Sequence, residues 1–491
     1  MLEPIEAFLL LVAFGVGMIV LILSRKVVGG SLDDFLVGSR KVGTWHGSLS
    51  IAVSWIWAPA VFICSLQAYK QGLAGIFWFT VPNILCFFLF AFLAIRVRRL
   101  LPKGYTLPDY IWFRFKGAKS THLSFLAVYF GYQLGAIIIN SLAGGTLLHL
   151  LSGMDFSLSV LLMSAIALSY SLISGLRASV MTDVVQMLMI IFIGFIIVPW
   201  VVVKGGGINV LASGLGGVSG EFRNIFHPGV LLAFGIPTTL GLLSGPVADQ
   251  MFFQRAFAVR QKSIVKVFVI GGLIFGIVPI TLSLLGFMGA APEISSSLNV
   301  TDPQMIGPIV VAYFLPKWAL MLFALMAFAG LCSTLDSALC ALSSLGAVDV
   351  FQKYFKGKGD EKGSLKWARV TMILMAIVGT GIALLRPKLL WVFLIYGALA
   401  SSVLFPTFLS VFWSRLTARG AKFATLIGLL IGTPLSIYAN IKEEEILILV
   451  AALASVLVGL VVALIFGFLN KKPDEFQKFQ KVKEPSIPIS N

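Results

Sequence analysis

The chain has 491 residues, 58% of them hydrophobic and only 12% charged, and its mean hydropathy is +0.97. That composition excludes an ordinary soluble protein of this length, because no globular core hides so much apolar surface, whereas lipid does. The net charge of +16 would suit a nucleic-acid partner, so its placement along the chain decides what it means.

Apolar runs recur near 4–24, 46–69, 73–95, 121–150, 156–175, 178–203, 229–248, 265–289, 318–345, 367–385, 389–413, 423–440 and 446–470. Each is close to the roughly 20 residues that cross a bilayer as a helix. The expected fold class is therefore all-α integral membrane, with about thirteen transmembrane helices in one domain, 1–470. With the N-terminus outside, the segments on the cytoplasmic side carry most of the 37 lysines and arginines, Arg255 and Arg260 included. The basic excess then reads as the positive-inside signal of a multi-pass cell-membrane protein with a cytoplasmic C-terminus, and no nucleic-acid partner is expected.

The first run starts at Glu3 and Glu6, where a signal peptide would be basic, and is expected to be a retained helix. The second carries Ser54-Trp55-Ile56-Trp57-Ala58-Pro59, which puts a proline near mid-membrane. Trp55 and Trp57 lie far from the interfaces where membrane tryptophans collect, so they are candidates for a solute site, with packing as the alternative. Trp78 in the next run, and the amides Gln133 and Asn140 in the fourth, are further candidates for orienting a solute. A basic loop at 99–120 should hold a short helix from Leu107 to Phe115.

Asp183 enters the sixth run with Ser179 and Gln186 on its helix face. It is either an ion ligand or an interfacial cap, with Arg177 near enough in sequence to be its partner. A Gly-rich stretch at 205–228 is expected on the outer surface. The seventh run is interrupted by Gly241, Ser244-Gly245-Pro246 and Asp249-Gln250. The second and seventh runs each open a group of five, and paired broken helices point to the binding site of an inverted-repeat transporter, the alternative being two proline kinks.

In the ninth run Ser333, Asp336, Ser337 and Cys340 share one helix face. Hydroxyls and a carboxylate suit a hard cation that takes oxygen ligands, although membrane hydroxyls often bond back to their own turn. Asp336 is a functional candidate because an ionisable group inside a span is costly. No lysine or arginine is expected deep in a core span, which favours a small neutral or weakly cationic solute. Residues 471–491 read as a polar cytoplasmic tail. No nucleophile–base pair or metal triad appears, so an enzyme is not expected.

At these residues the chain resembles the sodium:solute symporter family. The resemblance rests on Asp34-Phe35-Leu36-Val37-Gly38-Ser39-Arg40, Ser174-Gly175-Leu176-Arg177-Ala178, Thr182-Asp183-Val184-Val185-Gln186, Gln254-Arg255-Ala256-Phe257 and Ser333-Thr334-Leu335-Asp336-Ser337. It implies a LeuT-like core of two inverted five-helix repeats, here 46–203 and 229–413, with 4–24 before the core and two helices, 423–470, after it. It implies a sodium ion as coupling ion, with a proton as the alternative, and no other cofactor. The implied sodium ligands are the carbonyls of Val53, Ile56 and Gly330 and the hydroxyls of Ser333 and Thr334. Some members hold a second ion, which maps onto Asp183, Ser333, Asp336 and Ser337. Asp336 stands where those members have a hydroxyl, which either strengthens that site or converts it to a proton site. Trp55-Ile56-Trp57-Ala58 and Asp249-Gln250 with Gln254-Arg255-Ala256 are similar to the urea-active transporters, which implies urea or a related small neutral or amine solute. Ser54 and Pro59 depart from that subgroup, where glutamine and alanine are usual. The alternatives are a symporter for an amino acid such as proline, and a sensor built on the same fold, which would usually carry a long cytoplasmic domain.

Overall fold

The structure, a computed structural model, describes residues 2–25, 30–300, 302–355, 359–442 and 444–470. The expected tail, 471–491, lies outside the described residues, as do Lys26, Lys356 and Lys358. Among the described residues every regular element is a helix, and one isolated bridge pairs Val42 with Val259.

In chain order the helices are α1 Pro4–Ser24, α2 Leu32–Val37, α3 Thr44–Ser54, α4 Pro59–Leu100, α5 Leu107–Arg114, α6 Lys119–Ser152, α7 Phe156–Ser174, α8 Leu176–Lys204 and α9 Gly207–Ser213. They continue as α10 Pro228–Ala248, α11 Gln250–Ala258, α12 Ile264–Ala290, α13 Ile306–Phe314, α14 Lys317–Phe355, α15 Glu361–Ala383, α16 Leu389–Phe412, α17 Ala418–Lys442 and α18 Glu445–Phe468. Among the described residues, twelve helices are long and apolar enough to cross a membrane. The sequence leads to thirteen runs because the second, 46–69, passes from α3 across the break into the start of the 42-residue α4, and the third, 73–95, lies in the rest of that helix. That helix breaks at Gln71–Gly72, between the expected ends at 69 and 73. Gly72 sits at φ +53°, and a side chain there would also strike the backbone of Leu215 and Gly216.

Local chemistry sets the starts. Glu3 and Glu6 form a capping box at α1, with Pro4 in its first turn. Ser31 caps α2 through the Asp34 amide, and Thr106 caps α5 through the Asp109 amide, so the short loop helix begins where expected. The short helices α2, α9 and α13 were not expected, since none has a run long enough to register as a span.

Burial sorts the long helices into centre and rim. In the most apolar stretch of α6 and of α14, 78% of residues are buried, against 33% in α1 and 28% in α18. Ile446, Val450, Leu453, Leu457, Val461 and Ile465 leave an apolar stripe exposed along α18 at helical spacing, the surface expected to meet lipid.

Both expected interruptions occur. α3 stops at Ser54, residues 55–57 are unwound, and Pro59 opens a wide π-type turn because it brings no N–H to continue the ladder. The second break is narrower than the sequence suggests. Gly241 and Pro246 stay inside α10, and only Asp249 is extended (φ −94°, ψ 110°) before α11 begins. Gly241 serves packing instead, for a Cβ there would lie 3.2 Å from the Gly397 Cα on α16.

Candidate functional site

The first break leaves backbone carbonyls without helical partners, and α14 supplies hydroxyls beside them. The Thr334 Oγ1 lies 3.2 Å from the Ile56 carbonyl, 3.3 Å from that of Ser54 and 3.3 Å from that of Gly330. Gly330 permits this approach, because a Cβ on it would come within 3.1 Å of the Ile56 side chain. The Val53 carbonyl accepts the Ile56 amide at 3.0 Å instead, and the oxygen beside Thr334 from this stretch is that of Ser54. Such a set, two or three carbonyls and a hydroxyl in a dry site, suits a hard monovalent cation.

Ser333 turns the other way and donates to Asp183 Oδ1 at 2.6 Å. Asp183, on α8, also accepts from Ser50 at 2.5 Å. Its ionic partner is not Arg177, which pairs with Asp34 at 3.0 Å and is half exposed. It is Arg255, whose Nη2 lies 3.0 Å from Asp183 Oδ2, both side chains being fully buried. The expectation that no arginine lies deep is therefore corrected. α11 is short, and the extended Asp249 turns it inward, so a residue that reads as part of a basic loop enters the interior. Arg255 Nη2 also donates to Ser337 at 2.6 Å, and its Nε donates to Ser50 at 3.2 Å. Asp336 Oδ1 accepts from Ser179 at 2.6 Å and from Ser337 at 3.3 Å, and Thr182 lies 3.4 Å from its Oδ2. The structure thus brings Asp183, Ser333, Asp336 and Ser337 into one buried cluster, with a guanidinium among them.

On the other side of the unwound segment lies a cavity of about 820 Å³, its mouth included. Trp55, Trp57, Phe79, Tyr132, Phe393 and Tyr396 give it an aromatic lining, and Asn83, Thr238, Ser401 and Asn440 add polar groups. Among the described residues, no ionisable side chain other than the two tyrosines lines it. Trp55 and Trp57 meet edge to face with centroids 5.5 Å apart, and the Trp55 indole N–H is fixed on Asn83 at 2.8 Å. The Trp57 indole N–H is buried without a hydrogen-bond partner among the described residues, so it remains free to donate.

The other expected solute residues sit elsewhere. Trp78 donates to the Ile225 carbonyl at 2.8 Å, under the segment before α10. Asn140 accepts the Ala58 amide at 2.9 Å and so closes the break in the chain. Gln133 donates to Asp249 at 2.7 Å, tying α6 to the second break. Sequence reasoning missed Arg255, Tyr132 and Tyr396. The stretch Met251-Phe252-Phe253-Gln254-Arg255-Ala256-Phe257 did carry a signal for the first, since an exposed basic loop seldom wraps an arginine in apolar residues.

A second polar cluster joins α5, α6 and the end of α14. Asp349 accepts from Thr106 at 2.6 Å and Lys353 at 2.8 Å and lies 3.0 Å from His122 Nε2, while Lys353 also reaches Asp109 at 2.9 Å.

The sequence profile of the sodium:solute symporter family matches residues 35–432. The rice (Oryza sativa subsp. japonica) urea-proton symporter DUR3 is 22% identical over 444 residues, which cover 84% of this chain and 61% of the rice protein. The Drosophila melanogaster high-affinity choline transporter 1 is 26% identical over 426 residues, covering 83% of this chain and 67% of that one. A solved structure of a Na+-coupled sialic acid symporter in a substrate-bound outward-open state superimposes with a TM-score of 0.78 at 17% identity, over 95% of this chain and 98% of that one. The profile match covers most of the chain, and the chain belongs to the sodium:solute symporter family: it is a multi-pass membrane protein and a secondary active transporter, not an enzyme.

Proposed function

We propose that the chain is a sodium-coupled symporter of a small nitrogenous solute, neutral or singly cationic, working by alternating access. The observation that carries this reading is the double use of residues 55–57. The carbonyl of Ile56 faces the Thr334 hydroxyl, while the indoles of Trp55 and Trp57 wall the cavity. A sodium ion held by the carbonyls of Ile56 and Gly330 and the hydroxyl of Thr334, with the Ser54 carbonyl in the role expected of Val53, would fix the segment that shapes the solute site, while Ser333, expected as a further ligand, is turned to Asp183. Ion and solute then favour the same backbone conformation, which is what coupling requires.

The aromatic wall, without a charged partner, suits a solute with N–H groups and one acceptor for the Trp57 indole, as urea has. It also suits an organic ammonium held against π faces. The urea-proton symporter of rice and the choline transporter of Drosophila are names consistent with these two chemistries. An amino acid such as proline is less well served, because its carboxylate would meet no cation in the cavity.

In this reading α3 to α8 and α10 to α16 form two inverted five-helix repeats, with α1 before them and α17 and α18 after them. The basic segments lie in the cytoplasm, and the cavity opens to the outside of the cell membrane. Purified protein in liposomes, offered labelled urea, methylated amines and proline with and without an inward sodium gradient, tests the proposal. Sodium-stimulated uptake of urea or an amine is expected. Sodium-stimulated uptake of proline alone overturns the solute assignment.

A further inference from the structure

The cavity has a wall that the two proposed repeats do not supply. Ser436 and Asn440 of α17 and Ala451 and Ala452 of α18 line it together with Trp57. All four lie past residue 432, where the family profile match ends. Packing fixes this wall. α17 lies against α16 at Gly428, where a Cβ would come within 3.3 Å of Ser402, and against α18 at Gly432, where a Cβ would strike Ser455. Asn440 is 4% exposed, and its Nδ2 donates to the Ser436 carbonyl one turn back at 2.7 Å. A carbonyl only accepts, so this bond decides which end of the amide is the nitrogen and leaves Oδ1 as the free end. Among the described residues none donates to that oxygen.

We propose that Asn440 is a specificity-determining residue for transport: its carboxamide oxygen accepts a hydrogen bond from an N–H of the solute. The chain then selects ureas, amides or protonated amines over ammonium ions that carry no N–H. The inference rests on the cation-coupled, small-solute reading above and adds which part of the solute is read, and by which helix. A buried carboxamide oxygen normally has a donor, and the space left to supply one is the cavity that Asn440 lines. Trp57 presents the converse in the same cavity, an indole N–H with no acceptor among the described residues.

The chemistry of these two groups sets the solute class. A solute with a carbonyl and N–H groups can serve both. A fully methylated ammonium serves neither and leaves the Asn440 oxygen bare, and a site built around a hydrogen bond rejects the analogue that cannot make it. A carboxylate would set its own oxygens against that of Asn440. In the proposed orientation the turn from α17 to α18 faces the outside, so Asn440 meets the solute on its way in.

The test is uptake into liposomes holding the purified full chain, under an inward sodium gradient, with labelled urea, methylammonium and tetramethylammonium as probes. The wild type should take up urea or methylammonium in preference to tetramethylammonium. Asn440→Leu should raise the KM for the preferred probe about fivefold, the factor lost with one hydrogen bond, while kcat and the half-saturating sodium concentration stay as in the wild type. Asn440→Asp, which keeps an oxygen and adds a charge, should raise the ratio of methylammonium to urea uptake. A wild type that prefers tetramethylammonium, a folded Asn440→Leu with the wild-type KM, or an unchanged ratio in a folded Asn440→Asp overturns the inference and leaves sodium coupling intact. So does a loss of kcat and sodium affinity along with KM, which a structural role would give. If Asn440→Leu does not fold, Asn440→Asp decides alone, and failure of both to fold assigns Asn440 to structure and overturns the inference. A wild type that takes up none of the probes removes this inference and the solute reading together.

Discussion

Thr334→Val is the sharpest perturbation of the proposed ion site. The substitution keeps the β-branched shape and removes the one hydroxyl that lies within 3.3 Å of the carbonyls of Ser54, Ile56 and Gly330. Without the hydroxyl the bound ion loses an oxygen that buried surroundings cannot replace. Losing a partner to a buried polar group costs about 1–3 kcal/mol. At about 1.4 kcal/mol per factor of ten, the half-saturating sodium concentration should rise roughly 5- to 150-fold. Thr334→Ser keeps the ligand and deletes a methyl group, worth about 1 kcal/mol in packing but nothing in coordination. The assay is a sodium titration of solute uptake in liposomes for both variants, with circular dichroism to check folding. A folded Thr334→Val that keeps the wild-type sodium dependence would refute the placement of the ion between α14 and residues 55–57.

Trp57→Phe should weaken solute binding by about 1 kcal/mol, a factor of about five, because the ring stays and the free indole donor is lost; equal loss of sodium affinity measured without solute would assign Trp57 to packing. Asp349→Asn should lower thermal stability by about 3 kcal/mol, since Lys353 is buried and keeps only Asp109 as an ionic partner; an unchanged melting temperature would show that the α5–α14 cluster holds nothing together. Gly286→Ala should destabilise by about 1–3 kcal/mol, as the new methyl meets the Ser65 carbonyl and the Ala68 Cβ on α4, whereas Gly17→Ala, with nothing within 4 Å, should be neutral or slightly stabilising. Similar melting temperatures for the two glycine variants would mean that α12 and α4 do not approach as closely as described.

The membrane character and most of the apolar spans were legible because lipid imposes a length and a polarity that a sequence displays directly. The break at Trp55–Trp57 was legible through Pro59, and the hydroxyl pair Ser333–Thr334 through its place inside a span. Arg255 was not, for a reason rooted in the same rules. Positive charge at the end of a span normally marks a solvated loop, and only the tertiary path of α11, set by Asp249 and Gln254, carries this one inward. The cavity wall was half legible. Trp55 and Trp57 lie next to the break, whereas Tyr132 and Tyr396 come from α6 and α16, and no local pattern says that those two helices meet there. Asn140 and Gln133 were identified as polar groups in dry spans, but burial alone does not distinguish an amide that binds a solute from one that mends a backbone. In this chain they bond Ala58 and Asp249, the two breaks themselves.

The central claim is that sodium and solute move together, through two sites that share residues 55–57. Liposomes holding the purified protein, loaded without sodium and diluted into sodium with a trace of the transported solute, should accumulate that solute above its outside concentration. The accumulation should vanish when a sodium ionophore collapses the gradient, and Thr334→Val should show it only at raised sodium. Accumulation that survives the ionophore, or that follows an imposed proton gradient and ignores sodium, would contradict the account.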